Sequence, residues 1–177
     1  AKSSTSVTST INITAVNDTP VVTAGATLTY AEHDNAAVID NTITVGDVDD
    51  SQIASGIVTI SNNFSSGDIL TFTDQNGISG TWTTSGTSGT LTLTGTATLS
   101  NYKAALRTIT FFTTSNSTNS RTLTWVLTDA NSDGAGAENS NEVTSIIGIT
   151  SGANNPVVTA GAILHYIEND PAVVIDN

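Results

Sequence analysis

RTLTWVLT, residues 121–128, sets Leu123, Trp125 and Leu127 against Thr122, Thr124 and Thr128 at every second place, the period of a strand with one buried face. The same alternation returns in TLTY (27–30), NTITV (41–45), GIVTIS (56–61), DILTFT (68–73), GTLTLTG (89–95), RTITFFT (107–113) and NEVTSIIGIT (141–150). Between these segments lie SNNFSSGD (61–68), DQNGISG (74–80) and DANSDGAG (129–136), whose Gly, Asn and Asp supply the left-handed positions of tight turns. The pattern predicts an all-β chain folded as an antiparallel β-sandwich of seven to nine strands. One stretch departs from it. SNYKAALRTI (100–109) offers Ser100 as an N-cap ahead of good helix formers, which predicts a short crossover helix near 100–107 with Tyr102, Ala105 and Leu106 on one face.

The alternating members of the strands make the expected core: Ile43, Val45, Val58, Ile60, Leu70, Phe72, Trp82, Leu91, Leu93, Leu106, Ile109, Phe111, Trp125 and Leu127. Composition agrees with strands, since Val, Ile and Thr favour a pleated, half-buried surface. It also narrows function. Four Lys and Arg against sixteen Asp and Glu give a net charge of −12, so nucleic acid is repelled and cations are the natural partners. With no Cys there is no disulfide, thiolate metal site or cysteine nucleophile. No apolar run approaches the roughly 20 residues of a membrane-spanning helix, so this segment is not expected to insert in a membrane. No Gly-x-Ser-x-Gly elbow occurs and no acid–base dyad stands out, so the chain is not expected to be an enzyme.

The chain repeats itself. PVVTAGATLTYAEHDNAAVIDN (20–41) returns as PVVTAGAILHYIENDPAVVIDN (156–177), an offset of 136 residues, and VTSTINIT (7–14) lies over VTSIIGIT (143–150) at the same offset. Residues 1–16 therefore read as the last strand of a preceding repeat, 17–152 as one complete repeat, and 153–177 as the linker and first strands of the next. So long a period describes globular beads and not a solenoid.

VNDTPVV (16–22), TYAEHDNAAVIDNTITVGDVDD (29–50), GTLTLTGTATLSNYKAALRTITF (89–111) and RTLTWVLTDANSDG (121–134) together resemble the cadherin-like, CSPG-like repeats strung along large bacterial surface adhesins. The resemblance covers roughly residues 15–150. It implies an Ig- or cadherin-like sandwich at the cell surface, acting as an extracellular spacer or adhesion repeat. It also implies Ca²⁺ at the upstream joint, held by Asn17, Asp18, Asp47, Asp49 and Asp129, to which the spacing adds Asp50, with Glu32 and the second linker serving the downstream joint. There the sequence departs from the family pattern: Asn154 stands where the first linker has Asp18, and no Asp-Arg-Glu motif lies near LSNYK. Coordination chemistry agrees at the upstream site, because Ca²⁺ takes six to eight oxygens at about 2.3–2.6 Å and Asp47, Asp49 and Asp50 have the spacing of a wrapping loop.

The expected partners are neighbouring repeats or copies of the same chain. Exchange of terminal strands between chains would make the protein a filament subunit, the leading alternative. A glycan-binding module, the third reading, requires an exposed aromatic beside loop carboxylates, for which Tyr30, Tyr102 and Tyr166 are candidates.

Overall fold

The computed structural model describes residues 2–132 and 134–152, with positions 161, 168, 169, 171 and 172 beyond them. Residues 2–20 carry no strand or helix. The strands that follow are β1 (Val21–Thr23), β2 (Thr27–Ala31), β3 (Ala37–Val38), β4 (Thr44–Gly46), β5 (Gln52–Asn62), β6 (Asp68–Thr71), β7 (Ser79–Ser85) and β8 (Ser88–Thr98). The helix α1 (Leu99–Leu106) comes next, followed by β9 (Thr110–Thr113), β10 (Arg121–Asp129) and β11 (Val143–Thr150).

Alternation decides which face each long strand buries. Along β10 every second residue is buried, Arg121, Leu123, Trp125, Leu127 and Asp129, and β8 does the same with Gly89, Leu91 and Leu93. These two strands and β5 form the middle of a six-stranded sheet ordered β2-β11-β10-β5-β8-β7. A three-stranded sheet, β3-β9-β6, and the pair β1-β4 form the other layer. Inner side chains of both layers, among them Trp125, Leu91, Phe111, Leu70 and Val22, join one core cluster. The molecule is thus an all-β sandwich with one short helix.

Four details differ from the sequence expectation. The described residues hold eleven strands: beyond the eight alternating segments lie β1 and β3, only three and two residues long and too short to show a period of two, and β7, none of whose residues is fully buried. The sandwich is not wholly antiparallel: β11 runs parallel to β2, with Ile147 opposite Leu28 and Ile149 opposite Tyr30. Strands so far apart in sequence need no hairpin, so nothing local dictates their direction. The helix is capped by Thr98, whose hydroxyl accepts the Asn101 amide at 3.2 Å, and not by Ser100. β8 runs straight into α1, so its last residue does the capping, and Tyr102, Ala105 and Leu106 form the buried face. In the core, Val45, Phe72 and Trp82 are only partly buried against the cluster, whereas the other expected members are enclosed.

Asp40 links the two layers. Its Oδ2 accepts the Ala26 amide at 3.0 Å, the Gly25 amide at 3.2 Å and the Ser145 hydroxyl at 3.0 Å, while Oδ1 accepts the amide and hydroxyl of Thr42. Ser145 in turn accepts the Trp125 indole N–H at 3.1 Å. Burial pushes the Asp40 carboxyl up, but these donors outweigh it and hold the pKa down at about 2. A depressed carboxyl stabilises the fold above its unfolded pKa, and that contribution is lost as pH falls through the folded value. Asp40→Asn is therefore expected to lower stability by about 2 kcal/mol at neutral pH. In urea melts from pH 6 to pH 2, the gap between parent and variant should close as the pH falls from about 4 to about 2. A gap that stays constant would remove Asp40's charge from the account.

Candidate metal centre

The acidic residues of one pole come from three places. Asp47 follows β4, Asp50 precedes β5, and Asp129 ends β10, the antiparallel partner of β5. Carboxylate oxygens of Asp47, Asp50 and Asp129 all lie within 4.8 Å of one another. The Asp47 carboxylate folds its own loop, accepting the amides of Asp49 at 3.2 Å and Asp50 at 3.1 Å through Oδ1. Asp129 accepts the amides of Asn131 at 3.1 Å and Glu138 at 2.9 Å, which tie down the loop after β10. Asp50 Oδ1 accepts both the amide and the hydroxyl of Ser132.

The linker joins the same pole. Asn17 donates its side-chain amide to Asp129 Oδ2 at 3.0 Å, and the Asp18 amide donates to Asp49 Oδ2 at 2.9 Å. Two sequence expectations change here. Asp49 lies outside the three-carboxylate cluster and holds the linker backbone, because the turn closed on Asp47 directs Asp50 into the cluster instead. Asp18 takes part through its main chain in an exposed residue.

Several oxygens are left with no hydrogen-bond donor. Asn17 Oδ1, Asp47 Oδ2 and Asp49 Oδ1 are each buried and accept nothing from the described residues. Burying such groups without a partner costs free energy, so they call for a cation or water. Charge points to the cation. Two carboxylates at this separation repel by on the order of 3 kcal/mol at the effective dielectric of a protein surface. The recorded ion pair, Arg121 with Asp68, belongs to a different group of residues. Burial raises the Asp47 carboxyl above its ordinary pKa, and the Asp18 amide lowers that of Asp49. The donor set is all oxygen, from carboxylates and a side-chain amide, which suits a hard cation such as Ca²⁺ and not a soft metal.

Glu32 lies far from this centre. It follows β2, its amide bonds the Thr150 carbonyl at 3.0 Å, and β11 runs antiparallel to β10 so that Thr150 lies beyond the Arg121 end. Glu32 is buried and its Oε2 has no donor among the described residues. Asn154, expected beside it, lies outside the described residues. Ser132 and Asn131 escaped the sequence reading of the site; their signal is the Asx and Ser content of DANSDG, which is equally the signal of any turn. Tyr30 and Tyr102 are buried, each with its hydroxyl bonded to a main-chain carbonyl, so neither offers an exposed stacking face. Tyr166 lies outside the described residues.

Fold and pole together define a β-sandwich with a polyanionic end that ties its own linker. No family model matches the chain, and no curated protein matches it. Among solved structures it is similar to a cohesin module from Clostridium perfringens ATCC13124 family 33 glycoside hydrolase. The two are 10% identical, the match covers 78% of this chain and 100% of that module, and the TM-score is 0.42. Among the described residues, no helix is long and apolar enough to cross a membrane.

Proposed function

We propose that this chain is an extracellular spacer or adhesion repeat of a large surface protein, stiffened by Ca²⁺ at the joint with the unit before it. The observation that carries the reading is the convergence of Asp47, Asp50 and Asp129 with the linker residue Asn17, which leaves buried oxygens of Asn17 and Asp47 without donors among the described residues. Without a cation the carboxylates repel one another and the linker is held by few bonds. A bound divalent ion would neutralise them and bridge linker to domain, converting a loose joint to a stiff one. Asp47, Asp50, Asp129 and Asn17 would hold the ion, and Asp49 would fix the linker backbone beside it. The reading assigns the chain no catalytic role. The net charge of −12 supports it in kind, as an acidic surface attracts cations.

Thermal unfolding with and without calcium tests the proposal. An ion that binds only the folded chain at 100 times its dissociation constant adds about 2.7 kcal/mol. For a chain of this size that is a rise in midpoint of about 5–10 °C in millimolar CaCl₂ over EGTA. Asp47→Asn is expected to remove most of the rise. Equal midpoints in CaCl₂ and EGTA would leave the sandwich and end the calcium mechanism.

A further inference from the structure

We propose that residues 7–14 are the closing strand of a second sandwich of this type, in the place that β11 takes in this one, and that this second sandwich is the preceding unit of the same polypeptide. The inference rests on the tandem-repeat reading and adds the contact by which one unit's fold is completed.

VTSTINIT (7–14) and VTSIIGIT (143–150, β11) differ at two places, Thr10 against Ile146 and Asn12 against Gly148. In β11 the core-facing side chains are Ser145, Ile147 and Ile149, all buried, while Thr144, Ile146 and Thr150 are exposed. Ser9, Ile11 and Ile13 keep every one of those core-facing residues. Both changes fall on the outward face, where each substitutes a polar side chain. Gly148 has room for this, since an added Cβ would meet nothing nearer than the Leu28 carbonyl oxygen at 3.8 Å.

Among the described residues, 7–14 have no strand partner. Val7, Ile11 and Ile13 are 85–90% exposed, against 0% for Ile147. Isolated apolar side chains at a surface are ordinary, but an alternating apolar face on a segment with no sheet is an interaction surface. The face is specific as well as apolar. Ser145 links the Trp125 indole to the Asp40 carboxylate, and Ser9 carries the same hydroxyl into the same register. β11 is paired on both sides, antiparallel to β10 and parallel to β2, so the slot that Ile11 and Ile13 fit is an interior one flanked by strands of those two kinds. Only Ala15 and Val16 separate Thr14 from Asn17, a reach of at most about 11 Å. The closing strand of one unit would thus end at the acidic pole of the next.

The test places the segment in a slot that can be measured. The full chain carrying Ile146→Thr and Gly148→Asn has the 7–14 sequence in β11. It is expected to unfold cooperatively with a midpoint within about 3 °C of the parent, a shift typical of neutral surface changes. Ile147→Asp, measured beside it, should lower the midpoint by more than about 10 °C and so prove that the melt reports the strand. Loss of the cooperative transition in the double variant, or a drop as large as that of Ile147→Asp, would overturn the proposal. Sedimentation of the parent chain decides the source of the second sandwich. A monomer is expected, because each chain's own β11 fills its own slot. A dimer abolished by Ile11→Asp would overturn the assignment to the same polypeptide and give strand exchange between copies. None of these readouts uses calcium, so they stand or fall apart from the metal site.

Discussion

Arg121→Met is expected to destabilise the chain by about 3–5 kcal/mol, read as a lower urea midpoint at unchanged slope. Arg121 sits at a core-facing position of β10, and its side chain and that of Asp68 are both fully buried. Its Nε bonds Asp68 Oδ2 at 2.8 Å and one Nη bonds Oδ1 at 3.3 Å, a bidentate pair. Two further guanidinium hydrogens go to the carbonyls of Asn119 and Ser117, which pins the segment before β10. Asp68 accepts the Ser65 amide at 2.8 Å and the Thr113 hydroxyl at 2.7 Å, so the pair also joins the turn before β6 to the end of β9. Removing the cation leaves the carboxylate enclosed with two neutral donors. Arg121→Met combined with Asp68→Leu should recover most of the loss, since replacing both charges removes the unpaired one. A single variant as stable as the parent would mean that the ion pair is dispensable.

Gly95→Ala should lower stability by about 3 kcal/mol, near the upper end of what backbone strain reaches, because a steric overlap adds to it. Gly95 interrupts the register of β5 and β8, in the bulge between the pairs Ile53–Ala97 and Ser55–Thr94, and has φ +120°, where L side chains are rarely found. A Cβ there would overlap the Gly77 carbonyl oxygen, which is main chain and cannot swing aside. The bulge also aims the Gly95 carbonyl at the Tyr102 hydroxyl, 2.8 Å away, seating α1 on the sheet. Gly86 is the control. It too has a positive φ, +56°, but an added Cβ meets nothing within 4 Å, so Gly86→Ala should lose only about 1 kcal/mol. Equal losses at the two glycines in the same urea melts would remove the close approach to Gly77 as the cause.

How much of this was legible in the sequence depends on whether the signal is local. RTLTWVLT and GTLTLTG declare their buried faces outright, because Leu and Trp alternate with Thr over several residues. The pieces β1 and β3 declare nothing, being shorter than one full alternation. Arg121 stands in an inward column of β10, yet no local rule buries an arginine. Its burial depends on Asp68, 53 residues earlier. Tyr30, Ile39 and Ile53 joined the core unannounced, Ile39 because the AAVID run around it does not alternate, and Tyr30 and Ile53 because they stand near the ends of their strands. The acidic pole was legible as residue types, and Asp47 and Asp129 fall within it. The placing of Asp49 outside the cluster was not. It follows from a turn that the Asp47 carboxylate closes on the two amides after it, a conformation that the spacing of three aspartates does not distinguish from its alternative.

Calorimetric titration of the chain with CaCl₂ tests most directly the proposal that the Asp47–Asp50–Asp129 pole with Asn17 holds calcium. Saturable binding is expected, weakened at least tenfold, about 1.4 kcal/mol, by Asp47→Asn. The change Asp34→Asn, at an exposed residue in the turn that follows β2, should leave the affinity as it was. Absence of saturable binding at millimolar calcium, or equal weakening by the two substitutions, would contradict it.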